Sequence, residues 1–406
     1  MSTLSDLRVI EVIDQFTPVA GRTLAELGAE VIVVEPPEGS AHRRRPPFVD
    51  DEPGVDRSLR WFGLSLGKKS VTIDLDSEDG LENLRRLIAG ADIVLAGGDR
   101  VAGGALGYEE CSRANPGLIW VSITPFGLGS TRATDPVTDL TLLAGAGPLW
   151  NCGYDDHSIP PIRGAGDQSA NIGGMYAALG ALIAVSHRDH TGSGQLIDVN
   201  VTAACNVTCE QTTYYWLVKN AICTRQTGRH AAPVPSAPVQ VRCADGHYAT
   251  TGVLPRKPDE FARLRAWLAE LDLLDELPEA VFLEMAAERD APVNMAAIGE
   301  EDETTAILSA AREAIRLIAS RLPAKEFFIT SQQRGFPSGA ILAPHEAFED
   351  EHTVARGMQV PVEHPELGRT VVYPGAPYLF SAGNGESPPR APLLGEHNAL
   401  LDELAP

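Results

Sequence analysis

The sequence is short of positive charge, and that shortage argues against two classes of partner. Its 406 residues contain 33 Lys and Arg against 55 Asp and Glu, a formal net charge of −22 at pH 7. A surface with that balance repels phosphate backbones and anionic lipid headgroups, so we expect neither nucleic acid nor a membrane as partner. A ligand that is itself an anion would need cations gathered locally.

Clustered cysteines and long apolar runs are missing as well. The six cysteines lie far apart and form no CxxC pair, which argues against a zinc finger or a disulfide framework. We interpret them as reduced thiols and expect a cytoplasmic protein. The N-terminal segment MSTLSDLRVIEV has no basic stretch followed by a long apolar one, and no uninterrupted apolar run approaches about 18 residues. The sequence therefore predicts neither a secretory signal nor a membrane span.

The glycine pattern of a dinucleotide site is also absent. The first strand-like run, Leu7–Ile13, is followed by Asp14-Gln15-Phe16-Thr17-Pro18, where GxGxxG would stand in a dinucleotide-binding domain. We therefore expect neither NAD nor FAD. The histidines and carboxylates of residues 345–352 do not have HExxH spacing, so a charged loop explains them better than a metal site, and we predict no metal.

What the sequence does contain is an alternation of short apolar runs and helical patterns. The strand-like runs are Leu7–Ile13, Glu30–Val34, Ser70–Leu75, Asp92–Ala96, Leu118–Thr124 and Gln195–Val201. Strands separated by helices predict an α/β fold in which a parallel sheet carries helices on both faces. Ligands of such sheets bind beyond the carboxyl ends of the strands.

The length of the chain predicts more than one domain. We expect a large domain begun by residues 1–200, a helix and linker at 201–238, a small α+β domain at 239–330, and a return to the large domain at 331–406. Thr202–Lys219 is expected to be one long helix. Thr224–Pro238 is rich in proline and polar residues and is expected to be an irregular linker.

One carboxylate lies in an informative position. In Gly164-Ala165-Gly166-Asp167-Gln168-Ser169, an aspartate follows a glycine-bearing turn and opens a predicted helix over residues 168–188. An aspartate at a helix start is commonly an N-cap, which accepts hydrogen bonds from the first backbone N–H groups and has no other function. Spacing alone favours the cap over a catalytic role.

Cations that could hold an anionic ligand are few. The densest cluster, Arg43-Arg44-Arg45, suits either a solvated loop or a clamp, because the guanidinium fork matches both phosphate and carboxylate. Lys68 and Lys69 end a turn that only faintly resembles a phosphate-binding loop, because it precedes a strand and not a helix. These lysines could still contact an anion.

Several segments, taken in order, resemble the class III (CaiB/BaiF-type) CoA-transferases. The strongest match is Asp167 followed by Tyr176-Ala-Ala-Leu-Gly180 and by Thr191-Gly-Ser-Gly-Gln195-Leu-Ile-Asp198. Further matches carry the resemblance across most of residues 7–200 and lie at Leu27–Ile32, Lys68–Leu75, Leu106–Tyr108 and Asn115–Gly127. No single segment is specific for this family, but the order of the segments along the chain is.

The resemblance implies a Rossmann-like large domain built from both chain ends, an inserted smaller domain and an interlocked dimer. It implies an enzyme that moves CoA from an acyl-CoA donor, such as succinyl-CoA, to a carboxylic acid acceptor without a metal or redox cofactor. Asp167 would attack the thioester, forming first a mixed anhydride and then an aspartyl-CoA thioester. Gln15 would lie near the reacting acyl group, and Gly166 would let the backbone approach CoA closely.

The sequence departs from the family pattern where CoA is held. An Asn-Phe pair of the family is Gly97-Gly98 here, and the basic residue that follows Glu35 in the family is Pro36. CoA would have to rely on other cations. The candidates are Arg43, Arg44, Lys68, Lys69 and Arg100.

Three alternatives remain open. The chain could be one subunit of a heteromeric CoA-transferase, such as those that act on aromatic succinates, with a paralogous chain carrying the stronger CoA site. It could be an acyl-CoA racemase, although the histidine of that reaction would stand just before Asp139, where this chain has Val137-Thr138. It could also be a non-enzymatic scaffold.

Overall fold

The chain forms two compact units. A computed structural model describes residues 3–97, 106–133, 135–252, 254–294, 297, 301–381 and 388–403. Unit 1 comprises Met1–Cys152, Pro160–Ala221 and Phe348–Pro406, and unit 2 comprises Gly153–Ile159 and Ile222–Ala347. Arg100, one of the candidate CoA ligands, lies outside the described residues.

A six-stranded parallel sheet forms the centre of unit 1. Its strands are β1 (Arg8–Val12), β2 (Glu30–Glu35), β3 (Lys69–Thr72), β4 (Ile93–Gly97), β5 (Ile119–Thr124) and β6 (Leu196–Asn200). They lie in the order β3-β2-β1-β4-β5-β6, so the winding direction reverses between β1 and β4. Such a reversal opens a crevice at the carboxyl ends of the strands, where ligands bind. The α/β class with a parallel sheet is confirmed.

Helices cover both faces of this sheet. Those described in the first 221 residues are α1 (Thr17–Glu26), α2 (Leu59–Ser65), α3 (Glu78–Ala89), α4 (Tyr108–Ala114), α5 (Asp139–Ala146), α6 (Gln168–Thr191), α7 (Val201–Val207) and α8 (Glu210–Lys219). Val9 of β1 belongs to an apolar cluster with α1 and α6, whereas Ile10 joins a second cluster with α3. Successive strand residues point to opposite faces, and this sheet buries both of them.

Helix α6 packs through small residues. A Cβ on Gly174 would lie 2.6 Å from Cβ of Val19, and one on Gly173 would lie 2.8 Å from Cγ2 of Val201, so both glycines permit close contact. By length and composition α6 could cross a membrane. Its small-residue face is instead buried against α1 and α7, as in the core helix of a globular domain.

Both expectations for residues 202–238 are wrong in part. Thr202–Lys219 is not one helix, because α7 ends at Val207 and α8 begins at Glu210. At the break the Thr208 hydroxyl donates to the Cys205 carbonyl at 2.7 Å. The segment Thr224–Pro238 is not wholly irregular. It contains a hairpin of β7 (Thr224–Gln226) and β8 (Arg229–Ala232), whose turn includes Gly228 at a φ of 65°.

Unit 2 combines a small antiparallel sheet with helices. The sheet consists of β9 (Gln240–Arg242), β10 (Tyr248–Thr251) and β11 (Ser338–Ala340). The helices are α9 (Pro258–Glu270), α10 (Ala280–Ala287), α11 (Asp302–Ala319), α12 (Ala324–Gln333) and, at the boundary of the two units, α13 (Pro344–Glu349). Trp267 stacks on Phe327 with ring centroids 5.7 Å apart in the core between them.

The C-terminal residues return to unit 1. They form α14 (Glu351–Ala355), the hairpin of β12 (Gln359–His364) and β13 (Arg369–Pro374), and α15 (Ala399–Glu403). The Trp61 indole donates to the Pro392 carbonyl at 2.9 Å, and the His397 amide donates to the Ser70 carbonyl at 2.9 Å. Both chain ends therefore contribute to one unit.

Two of the cations named as CoA ligands are buried in ion pairs. Lys68 Nζ lies 2.7 Å from a carboxylate oxygen of Glu11, with both side chains fully buried. Arg43 donates to both carboxylate oxygens of Glu35 at 2.8 Å and lies over the ring of Trp61. These contacts argue against either side chain reaching a CoA phosphate, because removing one partner would leave the other charge buried and unpaired.

Neighbouring lysines offer a matched test of this assignment. Lys68→Met should lower the free energy of unfolding by about 3–5 kcal/mol, because Glu11 would be left as a buried, uncompensated charge. Lys69→Met breaks only the half-exposed pair with Glu30 and should cost about 0–1 kcal/mol. Urea unfolding of both variants measures the difference, and equal losses would contradict the burial argument.

Candidate active site

Asp167 lies at the start of α6 between two guanidinium groups. Its carboxylate contacts Arg60, in the first turn of α2, and lies 3.4 Å from Nη1 of Arg45. The Asp167 side chain is 25% exposed, so it is reachable from solvent. An ionised carboxylate in this place is stabilised by both cations.

The carboxylate that caps α6 belongs to Asp139 and not to Asp167. Oδ1 of Asp139 accepts the Ser169 backbone N–H at 2.7 Å and the Ser169 hydroxyl at 2.8 Å. The Asp167 side chain accepts no cap hydrogen bond from the helix. The interpretation of Asp167 as an N-cap, which spacing alone favours, is therefore wrong.

The turn before Asp167 is fixed from outside the helix and leaves open space beside it. Arg163 contacts the Asp139 carboxylate and donates to the Gly166 carbonyl at 2.8 Å. Gly166 has a φ of 85°, a conformation that favours glycine. Apart from Gly166 itself and its two chain neighbours, no atom of the described residues lies within 4 Å of a Cβ built on Gly166. A substrate could therefore approach the backbone here.

His42 connects Arg60 to the turn after β1. Arg60 Nε donates to His42 Nδ1 at 3.4 Å, and His42 Nε2 lies 2.8 Å from the Asp14 carbonyl oxygen. A neutral imidazole with its proton on Nε2 satisfies both contacts. Burial, together with the nearby charge of Arg60, lowers the pKa of His42 to about 4, so the imidazole is neutral at pH 7. It can therefore orient Arg60 without repelling it.

The Asp14 side chain fills the space beside Gly97, where the family pattern has an asparagine. Its carboxylate accepts the backbone N–H groups of Phe16 at 2.7 Å and Thr17 at 3.0 Å. A Cβ built on Gly97 would lie 1.7 Å from Oδ2 of Asp14, so this conformation requires a glycine there. The departure at Gly97 thus has a steric cause.

Gln15 lies in the same turn, next to the carbonyl that His42 contacts. It is half-buried, and its side chain forms no hydrogen bond with another residue in the described part of the chain. The contacts from Asp14 through His42 and Arg60 to Asp167 link this turn to the start of α6. A role for Gln15 stays a prediction.

The structure does not bring the predicted lysines together with Asp167. Lys69 lies level with Ile10 in the middle of β1, and its ammonium pairs with Glu30. The Lys68 ammonium lies nearer the turn after β1, but it is bound by Glu11 and by the Pro18 carbonyl at 3.0 Å and does not contact Asp167. Arg44 donates to the carbonyl groups of Glu38 and Gly39, the latter at 3.1 Å. Of the arginine cluster, only Arg45 contacts Asp167 in the described residues.

Sequence reasoning missed three residues of the site. Arg60 is a lone cation, so a search for charge clusters passes over it. His42 precedes the arginine cluster but has no metal-ligand or catalytic spacing around it. Asp139 enters the sequence argument only through the racemase pattern. Its hydrogen bond to Ser169 spans 30 residues and leaves no local signal.

Comparison with known proteins identifies the group to which this architecture belongs. The pattern of CoA-transferase family III matches residues 4–398. The chain belongs to CoA-transferase family III. It is 31% identical to the succinyl-CoA:(R)-benzylsuccinate CoA-transferase subunit BbsE of Thauera aromatica, over 97% of this chain and 92% of that one. It is 30% identical to the succinyl-CoA:mesaconate CoA-transferase of Haloarcula marismortui, over 99% of this chain and 96% of the other.

Solved structures agree with the fold. A CaiB/BaiF family protein from Brucella suis superposes with a TM-score of 0.78 at 24% identity and covers the whole of both chains. The resemblance to class III CoA-transferases is confirmed, and the chain is an enzyme of that family. Several of its relatives are named for succinyl-CoA as CoA donor.

The assignment of the cap to Asp139 can be tested by stability alone. Asp139→Ala should lower the free energy of unfolding by about 1–3 kcal/mol, because the Ser169 N–H loses its acceptor and Arg163 loses its anion. Asp167→Asn should leave it nearly unchanged, because that side chain caps nothing. Thermal and urea unfolding give both values, and a larger loss for Asp167→Asn would contradict the assignment.

Asp14 and His42 should make stability depend on pH in opposite directions. Burial raises the pKa of Asp14 from 3.8 to about 6, so between these values the folded chain holds a proton that the unfolded chain has released. Stability contributed by Asp14 therefore falls as pH rises through this window. Burial lowers the pKa of His42 from 6.5 to about 4, so its contribution rises with pH over a similar window.

Asp14→Asn should consequently make stability rise more steeply between about pH 4 and pH 6, and His42→Gln should make it rise less or fall. Urea unfolding across this range measures both slopes. Variants whose slopes match that of the unmodified chain would show that neither group titrates as its burial requires.

Proposed function

We propose that the enzyme transfers CoA from succinyl-CoA to a carboxylic acid through covalent intermediates on Asp167. The observation that carries this proposal is the free Asp167 carboxylate, which caps no helix, contacts Arg60 and Arg45, and lies beside the open space at Gly166. The choice of succinyl-CoA is supported by the names of the relatives.

In the first half of the reaction, an oxygen of Asp167 attacks the thioester carbonyl carbon and expels CoA as a thiolate, which gives a mixed anhydride. The thiolate then forms a bond to Cγ of Asp167. The bond from Cγ to the bridging oxygen breaks, and the donor acid leaves as a carboxylate. Asp167 is now an aspartyl-CoA thioester.

The second half runs the same steps with the acceptor acid. Its carboxylate attacks Cγ of the thioester, releases the thiolate and forms a second anhydride. The thiolate attacks the acceptor's carbonyl carbon, which yields the new acyl-CoA and restores the Asp167 carboxylate. Each tetrahedral oxyanion needs a hydrogen-bond donor. The backbone N–H of Gln168 suits this role, because the first amides of a helix have no intrahelical acceptor and Asp139 takes only that of Ser169.

The remaining site residues have supporting roles in this proposal. Arg60, oriented by His42, holds the Asp167 carboxylate in place. Gln15 contributes a side chain with unused hydrogen-bonding capacity near the reacting acyl group. The candidates for binding the CoA phosphates remain Arg44 and Arg100. Among the described residues, the hydrogen bonds of the Arg44 side chain are with backbone carbonyl groups. Gly166 gives the chain of CoA room to approach.

We further propose that two chains assemble in the active enzyme, either two identical ones or this chain with a paralogous subunit. Exposed apolar side chains on α6 and on α8 support this, because large exposed apolar surfaces mark interaction sites. They are Met175, Tyr176, Leu179, Ile183, Tyr214, Trp216, Leu217 and Val218. The relative named as a subunit supports the heteromer as the second candidate. We also propose a cytoplasmic location, because the six cysteines do not have the spacing of a disulfide framework.

The covalent role of Asp167 can be tested by trapping. Incubation with succinyl-CoA followed by hydroxylamine should convert Asp167 to a hydroxamate, which mass spectrometry of the peptide detects. Asp167→Asn should reduce CoA transfer to below about one-thousandth, because the nucleophile is lost. Asp135→Asn, at an exposed aspartate paired with Arg132, is the control and should keep full activity. An unmodified Asp167 peptide during turnover would reject the mechanism.

A further inference from the structure

The charge beside Arg60 and Arg45 changes during the proposed reaction, while the two cations do not. In the resting enzyme the Asp167 carboxylate is the anion that both guanidinium groups contact. In the anhydride and in the aspartyl thioester the same side chain is neutral. In the anhydride the negative charge is on the CoA thiolate. In the thioester CoA is neutral too, and two guanidinium groups, 25% and 45% exposed, are left without the anion of the resting enzyme.

Nothing else in the described part of the chain can replace that anion. The Arg45 side chain pairs only with Asp167. Arg60 has one further contact, from Nε to the imidazole of His42, which is neutral at pH 7. Guanidinium groups stay protonated throughout the accessible pH range, so at the thioester stage the two cations favour an anion from outside the protein.

The acid substrate supplies this anion when it is needed. When the thiolate forms its bond to Cγ of Asp167, the electron pair of the broken Cγ–O bond leaves on the donor acid. A carboxylate is therefore created directly beside Cγ of Asp167, whose own negative charge was lost when the anhydride formed. The acceptor acid must bring its own carboxylate to the same atom before the second half-reaction.

We propose that Arg60 and Arg45 are the carboxylate-binding site for the acid substrate, filled while Asp167 is held as the aspartyl-CoA thioester. The forked guanidinium matches a carboxylate in geometry as well as charge. His42 orients Arg60 through Nδ1, and Arg45 is the more exposed of the two, which suits first contact with an incoming acid. The inference rests on the proposed function, because Asp167 must lose its charge during turnover.

A binding experiment without turnover tests the site directly. The Asp167→Asn variant replaces the carboxylate with a neutral amide of nearly the same shape, which stands for the neutral intermediates. Calorimetric titration with succinate should show binding at least about 10-fold tighter than to the unmodified enzyme, because one charge-assisted contact is regained. Adding Arg60→Gln should abolish this gain.

Arg57→Gln in the same Asp167→Asn background is the matched control. Arg57 is 29% exposed, close to the 25% of Arg60, but it pairs with Asp50 and Glu52 and does not contact Asp167. This double variant should keep the tighter succinate binding. Asp167→Asn binding no tighter than the unmodified enzyme, or an equal loss with Arg57→Gln, would overturn the proposal.

Kinetics give a second readout that a purely structural role would not move. In the exchange of labelled succinate into succinyl-CoA, Arg60→Gln should raise the KM for succinate by about 10- to 100-fold and leave the KM for succinyl-CoA unchanged. Arg60→Lys should restore part of the loss. An unchanged KM for succinate would count against the site. An absent hydroxamate at Asp167 alongside Arg60-dependent succinate binding would overturn the covalent mechanism and leave the carboxylate site standing.

Discussion

The hydrogen bond from the Ser169 amide to Asp139 is the contact on which the chemistry of the site depends. A helix start presents unsatisfied N–H groups and a positive dipole end, both of which attract the nearest anion. Because Asp139 occupies that place, Asp167 keeps its carboxylate free while lying one residue before the helix. Arg163 fixes Asp139 and the Gly166 carbonyl together, so the turn holds its shape without any contribution from the Asp167 side chain.

Scarce cations are divided between stability and binding in this acidic chain. Arg43 and Arg45 are two residues apart, yet the first is buried against Glu35 and Trp61 while the second contacts Asp167. Lys68 and Lys69 differ in the same way, one fully buried and the other half-exposed. Buried pairs add little net stability but are expensive to break, so such residues are unavailable to a ligand. Among the described residues, the cations left at the site are Arg45, which pairs with Asp167, and Arg60, which contacts Asp167 and a neutral imidazole.

The fixed charges of the site correspond to the charge changes of the proposed reaction. The relay that we propose through Asp167 would move one negative charge from the enzyme to CoA and then to an acid, and back again. Fixed guanidinium groups favour each state in which a carboxylate lies beside them, whichever molecule carries it. The turn at Asp14 and Gln15 is linked to the site through His42. The His42 ring is buried and therefore neutral, so it orients Arg60 without repelling its charge.

Several features follow from the amino-acid order. They are the parallel sheet with its strand-length runs, the lack of a dinucleotide fingerprint, and the choice of Asp167 as candidate through an ordered set of motifs. These are local properties, because period, length and turn residues are set by neighbours along the chain. The break between α7 and α8 and the hairpin at β7 and β8 do not follow from it, since one hydroxyl and one glycine override the average pattern. Which aspartate caps α6, and which arginine contacts Asp167, depends on the folded chain. Arg60 and Asp167 lie 107 residues apart, and a contact over that separation exists only once the sheet has brought α2 and α6 to the same edge.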